Sequence, residues 1–211
     1  MRSIYKIVVC SLLTLSITSC EKDLLEKEQY QKEIYLIGAY NRVWTTEVSY
    51  SNEEVKTYFT VSSSGTLALD RDVNVKMKIN EELVDIYNKK YWTVLNEDKY
   101  YKSLDTDLYS IPSLENTVIK HAEGISAEVP VLIKTASLKI DQSYVIPVEI
   151  ESTTGYPISE SGYKMLILLK LKNDYSGSYQ MSGHTTLEGE TPKTIQKPKT
   201  IKPTGVNTVR L

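Results

Sequence analysis

Period-two alternation of apolar and polar residues, repeated along short segments, is the feature that most restricts what this chain can fold into. The predicted buried faces comprise Val55, Thr57, Phe59 and Val61, then Val73, Val75, Met77 and Ile79, then Ile125, Ala127, Val129, Val131 and Ile133, and finally Tyr144, Ile146, Val148 and Ile150. Successive side chains of a strand point to opposite faces of a sheet, so each segment predicts a strand with one buried face and one solvated face. The chain is therefore predicted to be all-β.

A fifth segment, residues 163–172 (YKMLILLKLK), is apolar on both faces in its middle. A strand of this composition is covered on both sides, so we expect it in the centre of a sheet. Pro130 cannot donate a ladder hydrogen bond and predicts a sheet edge or a bulge. Short strands at this spacing, separated by turn-rich stretches such as residues 62–65, are typical of a β-sandwich.

A single helix is predicted to interrupt the strands, at about residues 81–91. Its apolar stripe comprises Leu83, Val84, Ile86, Tyr87 and Tyr91. Asn80 is predicted to cap the N-terminus, and Lys89 and Lys90 suit the last turn because cations are favoured at the C-terminal end of a helix. The stripe lies at helical spacing, so we expect the helix to pack on the sandwich.

The composition supports strands and argues against a nucleic-acid partner. Sixteen tyrosines stand against one phenylalanine, and tyrosine suits strands because its ring covers a pleated surface while its hydroxyl reaches water. The chain carries 25 basic and 27 acidic residues, a net charge of −2. Binding of nucleic acid needs a basic face, and this balance gives no sign of one.

Residues 1–19 are predicted to be a signal peptide. A short cationic start is followed by the apolar run 7–17 (IVVCSLLTLSI), which is too short to span a bilayer as a helix. Of the two cysteines, Cys10 lies inside this leader and Cys20 directly follows it. The remainder of the chain therefore has no cysteine pair from which to make an internal disulfide.

The leader ends in Ile17-Thr18-Ser19-Cys20, which resembles the lipobox of bacterial lipoproteins. The resemblance implies that Cys20 is lipidated, with acyl chains such as palmitate, and that residues 20–33 form a charged tether. Each buried methylene contributes about 0.8 kcal/mol, so two or three chains would hold the protein at the outer membrane. Glu21-Lys22-Asp23 resembles the acid-rich tag that sends Bacteroidetes lipoproteins to the cell surface; a merely solvated tether is the alternative.

Residues 79–101 (INEELVDIYNKKYWTVLNEDKYY) resemble the N-terminal domain of Bacteroidetes surface lipoproteins known as domain of unknown function 1735. The later features agree in order: Asn116-Thr117-Val118-Ile119 before Gly124, Leu138 before Tyr144-Val145-Ile146-Pro147, and Gly155 before Tyr163. The resemblance covers roughly residues 35–174. It implies that residues 34–174 form an immunoglobulin-like β-sandwich of the kind found in glycan-utilisation systems.

Tyr175-Ser176-Gly177-Ser178-Tyr179 and Gly183 resemble the opening of the companion domain of unknown function 4361. This resemblance implies that residues 175–211 are the first strands of a second β-sandwich with carbohydrate-binding character. Because Thr208-Val209-Arg210-Leu211 resembles the middle of a strand, we expect that this chain is a fragment or that its gene is truncated.

Candidate catalytic and metal-binding residues are few. Asp70-Arg71-Asp72-Val73-Asn74 begins like a calcium loop, but Val75 stands where the loop needs glycine. His121 and His184 lack the spacing of a zinc site. Asp105 and Asp107 would share one strand face as a carboxylate pair, although a solvated turn is the favoured interpretation. We therefore predict no catalytic residue, no metal site and no cofactor.

Trp44 and Trp92 are the candidate ligand-binding residues, because an aromatic face can stack on the apolar face of a sugar ring. Packing in the core or on a strand surface is the alternative for either residue. Trp92 follows the predicted helix and is expected to be the more buried of the two, whereas Trp44 precedes the polar stretch 45–52.

Three hypotheses for function remain open from the sequence. The first is a non-catalytic surface lipoprotein that binds a glycan and serves a polysaccharide-utilisation system, with outer-membrane uptake components as further partners. The second is a structural or adhesion lipoprotein that binds other proteins. The third is the N-terminal part of a surface glycosidase whose catalytic domain lies beyond Leu211.

Overall fold

The computed structural model describes residues 27–186, 188, 189 and 191–210. The predicted signal peptide, Cys20 and the first part of the predicted tether lie outside the described residues. In chain order the strands are β1 (Ile34–Leu36), β2 (Val43–Ser49), β3 (Glu54–Ser63), β4 (Val73–Ile79), β5 (Lys102–Ser103), β6 (Tyr109–Ser110), β7 (Thr117–Ile119), β8 (Ser126–Lys134), β9 (Tyr144–Thr153), β10 (Lys164–Lys172), β11 (Gly177–Thr185), β12 (Lys193–Gly205) and β13 (Thr208–Arg210). One α-helix, α1 (Glu82–Tyr91), and 3-10 turns at Ala39–Asn41, Val94–Lys99 and Thr106–Leu108 complete the described elements.

Two of the three described sheets face each other as an immunoglobulin-like sandwich. The first has the order β1-β3-β8-β6, and the second has the order β2-β10-β9-β4-β7 with β5 beside β9. β2 pairs with β10 and β5 pairs with β9 in parallel, and the other pairs are antiparallel. The third sheet, β11-β12-β13, follows the sandwich. The all-β prediction with one short helix is thus confirmed.

The main core lies between the two sheets and is built from the alternating faces that the sequence predicts. Its fully buried side chains include Phe59 and Val61 on β3, Val73, Val75 and Met77 on β4, Val129, Val131 and Ile133 on β8, and Ile146 and Val148 on β9. Burying one such side chain contributes about 1.5–3 kcal/mol, which makes this layer the main source of stability. Ile125, predicted to lie on a buried face, is exposed just before β8 begins.

A second, smaller core lies on the outer face of the second sheet, under α1. Leu83 and Val84 of the helix pack against Val145 of β9 and Leu166 of β10. β10 is therefore covered on both faces, as its sequence predicts. The same helix covers the second face of β9, where the alternation pattern had indicated one buried face only.

Two asparagines fix the position of α1. The Oδ1 atom of Asn80 accepts a hydrogen bond from the backbone N–H of Glu82 at 3.2 Å, so this side chain caps the helix as predicted. Asn88 is buried; its Nδ2 donates to the carbonyl of Tyr101 at 2.8 Å, and its Oδ1 accepts from the N–H of Tyr101 at 2.9 Å. The segment after the helix is thereby held beside it.

Two prolines occupy places in the sheets where no donor is needed. Pro130 pairs with Tyr58 of β3, while β6 reaches only Leu132 and Ile133 on the other side of β8. Pro147 lies between the part of β9 that pairs with β5 and the part that pairs with β4. Both residues therefore face gaps in the hydrogen-bond ladder, as a proline in a sheet must.

The chain enters and leaves the sandwich at opposite ends. Glu28 accepts hydrogen bonds from the backbone of Thr66 and pairs with Lys32, so this part of the predicted tether is held against the loop after β3. The N–H of Ile34 donates to Pro157, close to the start of β10, whereas the third sheet begins after β10 ends. The nine residues of β10 separate the two ends by about 30 Å.

Among residues 27–210, leaving aside 187 and 190, no helix is both long enough and apolar enough to cross a membrane.

Candidate functional site

A groove of about 250 Å³ opens beside α1, on the outer face of the second sheet. We call it the α1 groove. It is lined by residues of α1, of the turn at residues 38–42, and of the segment 160–166 before and at the start of β10. Four tyrosines line it, namely Tyr40, Tyr87, Tyr91 and Tyr163, with Leu83, Met165 and Leu166 among the apolar residues below them.

The turn at residues 38–42 is shaped by two left-handed backbone positions. Gly38 has φ 89°, and a Cβ there would lie 2.5 Å from Cε3 of Trp44, so only glycine fits. Arg42 has φ 64°; its N–H donates to Ala39 at 2.8 Å, and its carbonyl accepts from the N–H of Leu166 at 2.8 Å. These bonds fix the turn against β10 and leave Tyr40 88% exposed at its tip.

The wall formed by α1 presents an aromatic pair. Tyr87 and Tyr91 are four residues apart and therefore adjacent on the helix surface, with ring centroids 4.4 Å apart. The ring of Tyr101 also stacks on that of Tyr87, with the centroids 5.1 Å apart. Burial raises the pKa of Tyr87 to about 12, so its phenol is protonated at neutral pH. Tyr91 is 49% exposed and offers its ring to the groove.

Charged side chains lie around these rings. The Nζ atom of Lys164 lies 4.7 Å from the ring centroid of Tyr163, and that of Lys90 lies 5.4 Å from the centroid of Tyr91. Arg42 and Glu160 also line the groove. Exposed aromatic faces with a polar rim suit a ligand that has an apolar face and hydroxyl groups.

Neither tryptophan proposed from the sequence lines the α1 groove. Trp44, on β2 opposite Ile167, is 38% exposed and packs behind the turn, against Gly38. Trp92 follows α1 and is half-buried, with Lys99 5.6 Å from its ring and with its Nε1 lacking a hydrogen-bond partner among the described residues. A ligand-binding role for either residue stays a prediction, as does lipidation of Cys20.

The other candidates from the sequence lie away from the α1 groove. Asp70 pairs with Arg71 and accepts from the hydroxyl of Tyr156. Asp72 pairs with His121 at 2.6 Å, and this contact lowers the pKa of the Asp72 carboxyl.

Asp105 precedes the 3-10 turn Thr106–Leu108 and Asp107 lies within it, and the Asp105 side chain accepts a hydrogen bond from the N–H of Asp107. His184 lies exposed on β11. In the part of the chain that the structure describes, no three histidine, cysteine or acidic residues cluster as metal ligands.

Two features of the sequence, apart from the alternation of the strands, point to the α1 groove. All five stripe residues of the helix were expected to pack on the sandwich, yet Ile86 and Tyr91 are exposed while Leu83 and Val84 are buried. The first feature is this apolar stripe, which is too wide for the strands beneath the helix to cover and therefore leaves some of its residues exposed. A second is the tyrosine in residues 38–42 (GAYNR), at the tip of a turn.

Two family models match the chain. One describes an N-terminal domain and matches residues 30–157. The other describes the companion C-terminal domain and matches residues 163–211. The second match begins just before β10, although β10 is a strand of the sandwich. No curated protein matches the chain.

Solved structures from Bacteroides share this fold. A multidomain protein of Bacteroides ovatus that includes DUF1735 is 20% identical, with a TM-score of 0.58 over 80% of this chain and 55% of its own. An auxiliary nutrient binding protein of Bacteroides thetaiotaomicron is 16% identical, with a TM-score of 0.58 over 82% of this chain and 60% of its own.

A candidate carbohydrate binding protein of Bacteroides ovatus is 17% identical, with a TM-score of 0.50 over 75% of this chain and 43% of its own. At these identities the likeness establishes the fold. The chain spans less than two thirds of the length of each of these proteins.

Proposed function

Because the chain belongs to the family that this N-terminal domain defines, we propose that it is a non-catalytic, surface-anchored protein that binds a glycan. In this proposal it serves a polysaccharide-utilisation system alongside outer-membrane uptake components, and Cys20 carries the lipid that anchors it. The names of two proteins of the same fold, one for nutrient binding and one a candidate for carbohydrate binding, support this direction.

The α1 groove is the observation that carries the proposal. Its tyrosines offer exposed ring faces at Tyr40 and Tyr91, and a pyranose ring has an apolar face that can stack on them. Of its described lining residues only Glu160 is a carboxylate, whereas glycoside hydrolysis commonly uses two. Binding without cleavage is thus the activity that this set of side chains suits.

Binding of the full chain to a glycan array, followed by isothermal titration, tests the proposal. We expect dissociation constants in the micromolar to millimolar range, because exposed rings bury little ligand surface. Tyr91→Ala should weaken binding about three- to tenfold by removing one stacking surface. Tyr58→Ala is the matched control, since Tyr58 is exposed on the opposite sheet.

Two outcomes would contradict the glycan proposal. Release of shorter oligosaccharides by the purified chain would favour the glycosidase alternative. Tight binding to a protein partner without any glycan signal would favour an adhesion role instead.

The anchor is tested separately. Cys20→Ala should release the protein from the membrane fraction or leave it unprocessed, whereas Cys10→Ala should change neither result because Cys10 would be removed with the leader. Mass spectrometry of the mature N-terminus measures this. An unmodified N-terminus at any residue other than Cys20 would refute lipid anchoring.

A further inference from the structure

Positive charge gathers around the α1 groove although the chain as a whole is acidic. Arg42, Lys90 and Lys164 line the groove, and among the described lining residues Glu160 is the sole acid. The local balance is three cations minus one anion, or +2, against a net charge of −2 for the chain. A ligand that enters here therefore meets a positive field.

These three cations differ from their neighbours on the same sheet. On β10, Lys170 and Lys172 reach the carboxylate of Glu47 at 3.2 and 3.0 Å, and these contacts lower the pKa of Glu47. Across residues 27–210, apart from 187 and 190, Arg42, Lys90 and Lys164 have no such ion-pair partner. Two of them lie over tyrosine rings instead.

The backbone of Arg42 fixes this residue in the lining of the groove. It is the sole non-glycine residue with positive φ in the part of the chain that the structure describes. This conformation is unfavourable for a residue with a Cβ and persists only where its surroundings impose it. Hydrogen bonds to Ala39 and from Leu166 impose it here. Such strained positions cluster at ligand sites, so an arginine in this one points to function.

We propose that the α1 groove selects an acidic sugar, one that carries a carboxylate or a sulfate ester. The planar guanidinium of Arg42 can donate two parallel hydrogen bonds to either group, while the lysines contribute charge and the tyrosines stack on the ring. The groove volume of about 250 Å³ limits the bound part to a short segment of a chain. This inference rests on the glycan-binding function proposed above.

Titration of the full chain with three oligosaccharides tests the inference: a chondroitin sulfate tetrasaccharide (carboxylate and sulfate), a hyaluronan tetrasaccharide (carboxylate alone) and the neutral tetramer of N-acetylglucosamine. We expect binding of at least one acidic probe, and its affinity should fall as salt is added. Arg42→Gln, which keeps the Cβ and removes the charge, should weaken that binding about tenfold.

Lys90→Gln should have a smaller effect, because a lysine acts as a point charge. Lys89→Gln is the matched control, since Lys89 lies in the same helical turn but does not line the groove. Unchanged melting temperatures would show that the variants are folded.

The outcomes separate the two proposals. Equal binding of the neutral probe, lost in Tyr91→Ala but kept in Arg42→Gln, would overturn the acidic preference and leave glycan binding standing. Binding of an acidic probe that Arg42→Gln does not weaken would also overturn the preference. Failure of all three probes, in a chain that binds nothing on the glycan array, would overturn both proposals.

Preference for chondroitin sulfate over hyaluronan would identify sulfate as the recognised group, and equal affinity would identify the carboxylate.

Discussion

The sandwich and the C-terminal sheet contain strands of similar length but bury very different amounts of them. In β10, which has nine residues, Met165, Leu166, Ile167 and Leu169 are buried. In β11, also nine residues long, every residue is exposed. β11 is also paired along its whole length, in a continuous antiparallel register with β12 from Gly177 to Thr185, although it is an edge strand whereas β10 pairs on both sides.

The difference shows that a hydrogen-bond ladder forms a strand but does not bury it. β10 has the first sheet on one face and α1 on the other, so its apolar side chains are removed from water on both faces. Within the described residues, every side chain of β11 is exposed and Pro203 is the sole buried residue of β12, so most of this hairpin has no layer packed on it. Burial of apolar surface, which drives folding, requires such a layer. We therefore expect the sandwich to be the stable unit and the C-terminal sheet to depend on it.

Matched substitutions to aspartate should separate the two regions most clearly. Ile167→Asp places an unpaired charge at a site that is 1% exposed, and it should cost several kcal/mol and unfold much of the protein. Ile195→Asp, on β12, should change stability by about 0.5 kcal/mol or less because its site is half-solvated. Denaturant titration followed by circular dichroism measures both.

Similar costs at Ile167 and Ile195 would contradict the comparison. They would mean that the C-terminal sheet is covered by a layer of its own in solution.

A smaller effect is expected at Asn173, which joins the two regions. Its buried Nδ2 donates to the carbonyls of Gly205 at 2.8 Å and Thr208 at 2.9 Å. Asn173→Ala removes both bonds and should cost about 1–2 kcal/mol, mostly by loosening the C-terminal sheet. Hydrogen exchange should then speed up within residues 193–210 while β9 keeps its protection.

Asn173→Asp gives the sharper control for this link. It keeps the oxygen that accepts from the N–H of Tyr175 at 3.1 Å but loses both donated bonds. Faster exchange in both variants would assign the link to donation by Nδ2. Unchanged exchange in both would show that the sheet is held by other contacts, for example those of β12 with β10.

The strands could be predicted because their pattern is local. Val73 to Ile79 alternate within one segment, and the structure places β4 at the same seven residues. The helix prediction at residues 81–91 was accurate to one residue for a similar reason, since its stripe and its cap lie close together in the chain. What the pattern could not give is which neighbour covers each face. The burial of Val145 on the second face of β9 depends on α1, more than 50 residues earlier in sequence.

The sequence by itself determined the fold class, most of the strand faces and the helix, because period and propensity are properties of short segments. Tertiary structure alone decided the candidate site. It brought Arg42 from the turn before β2 together with Tyr91 from α1 and Lys164 from β10, and it placed neither tryptophan in the lining of this groove. The physical reason is that a groove forms where separate elements fail to fill the space between them, and packing of the whole chain sets that space.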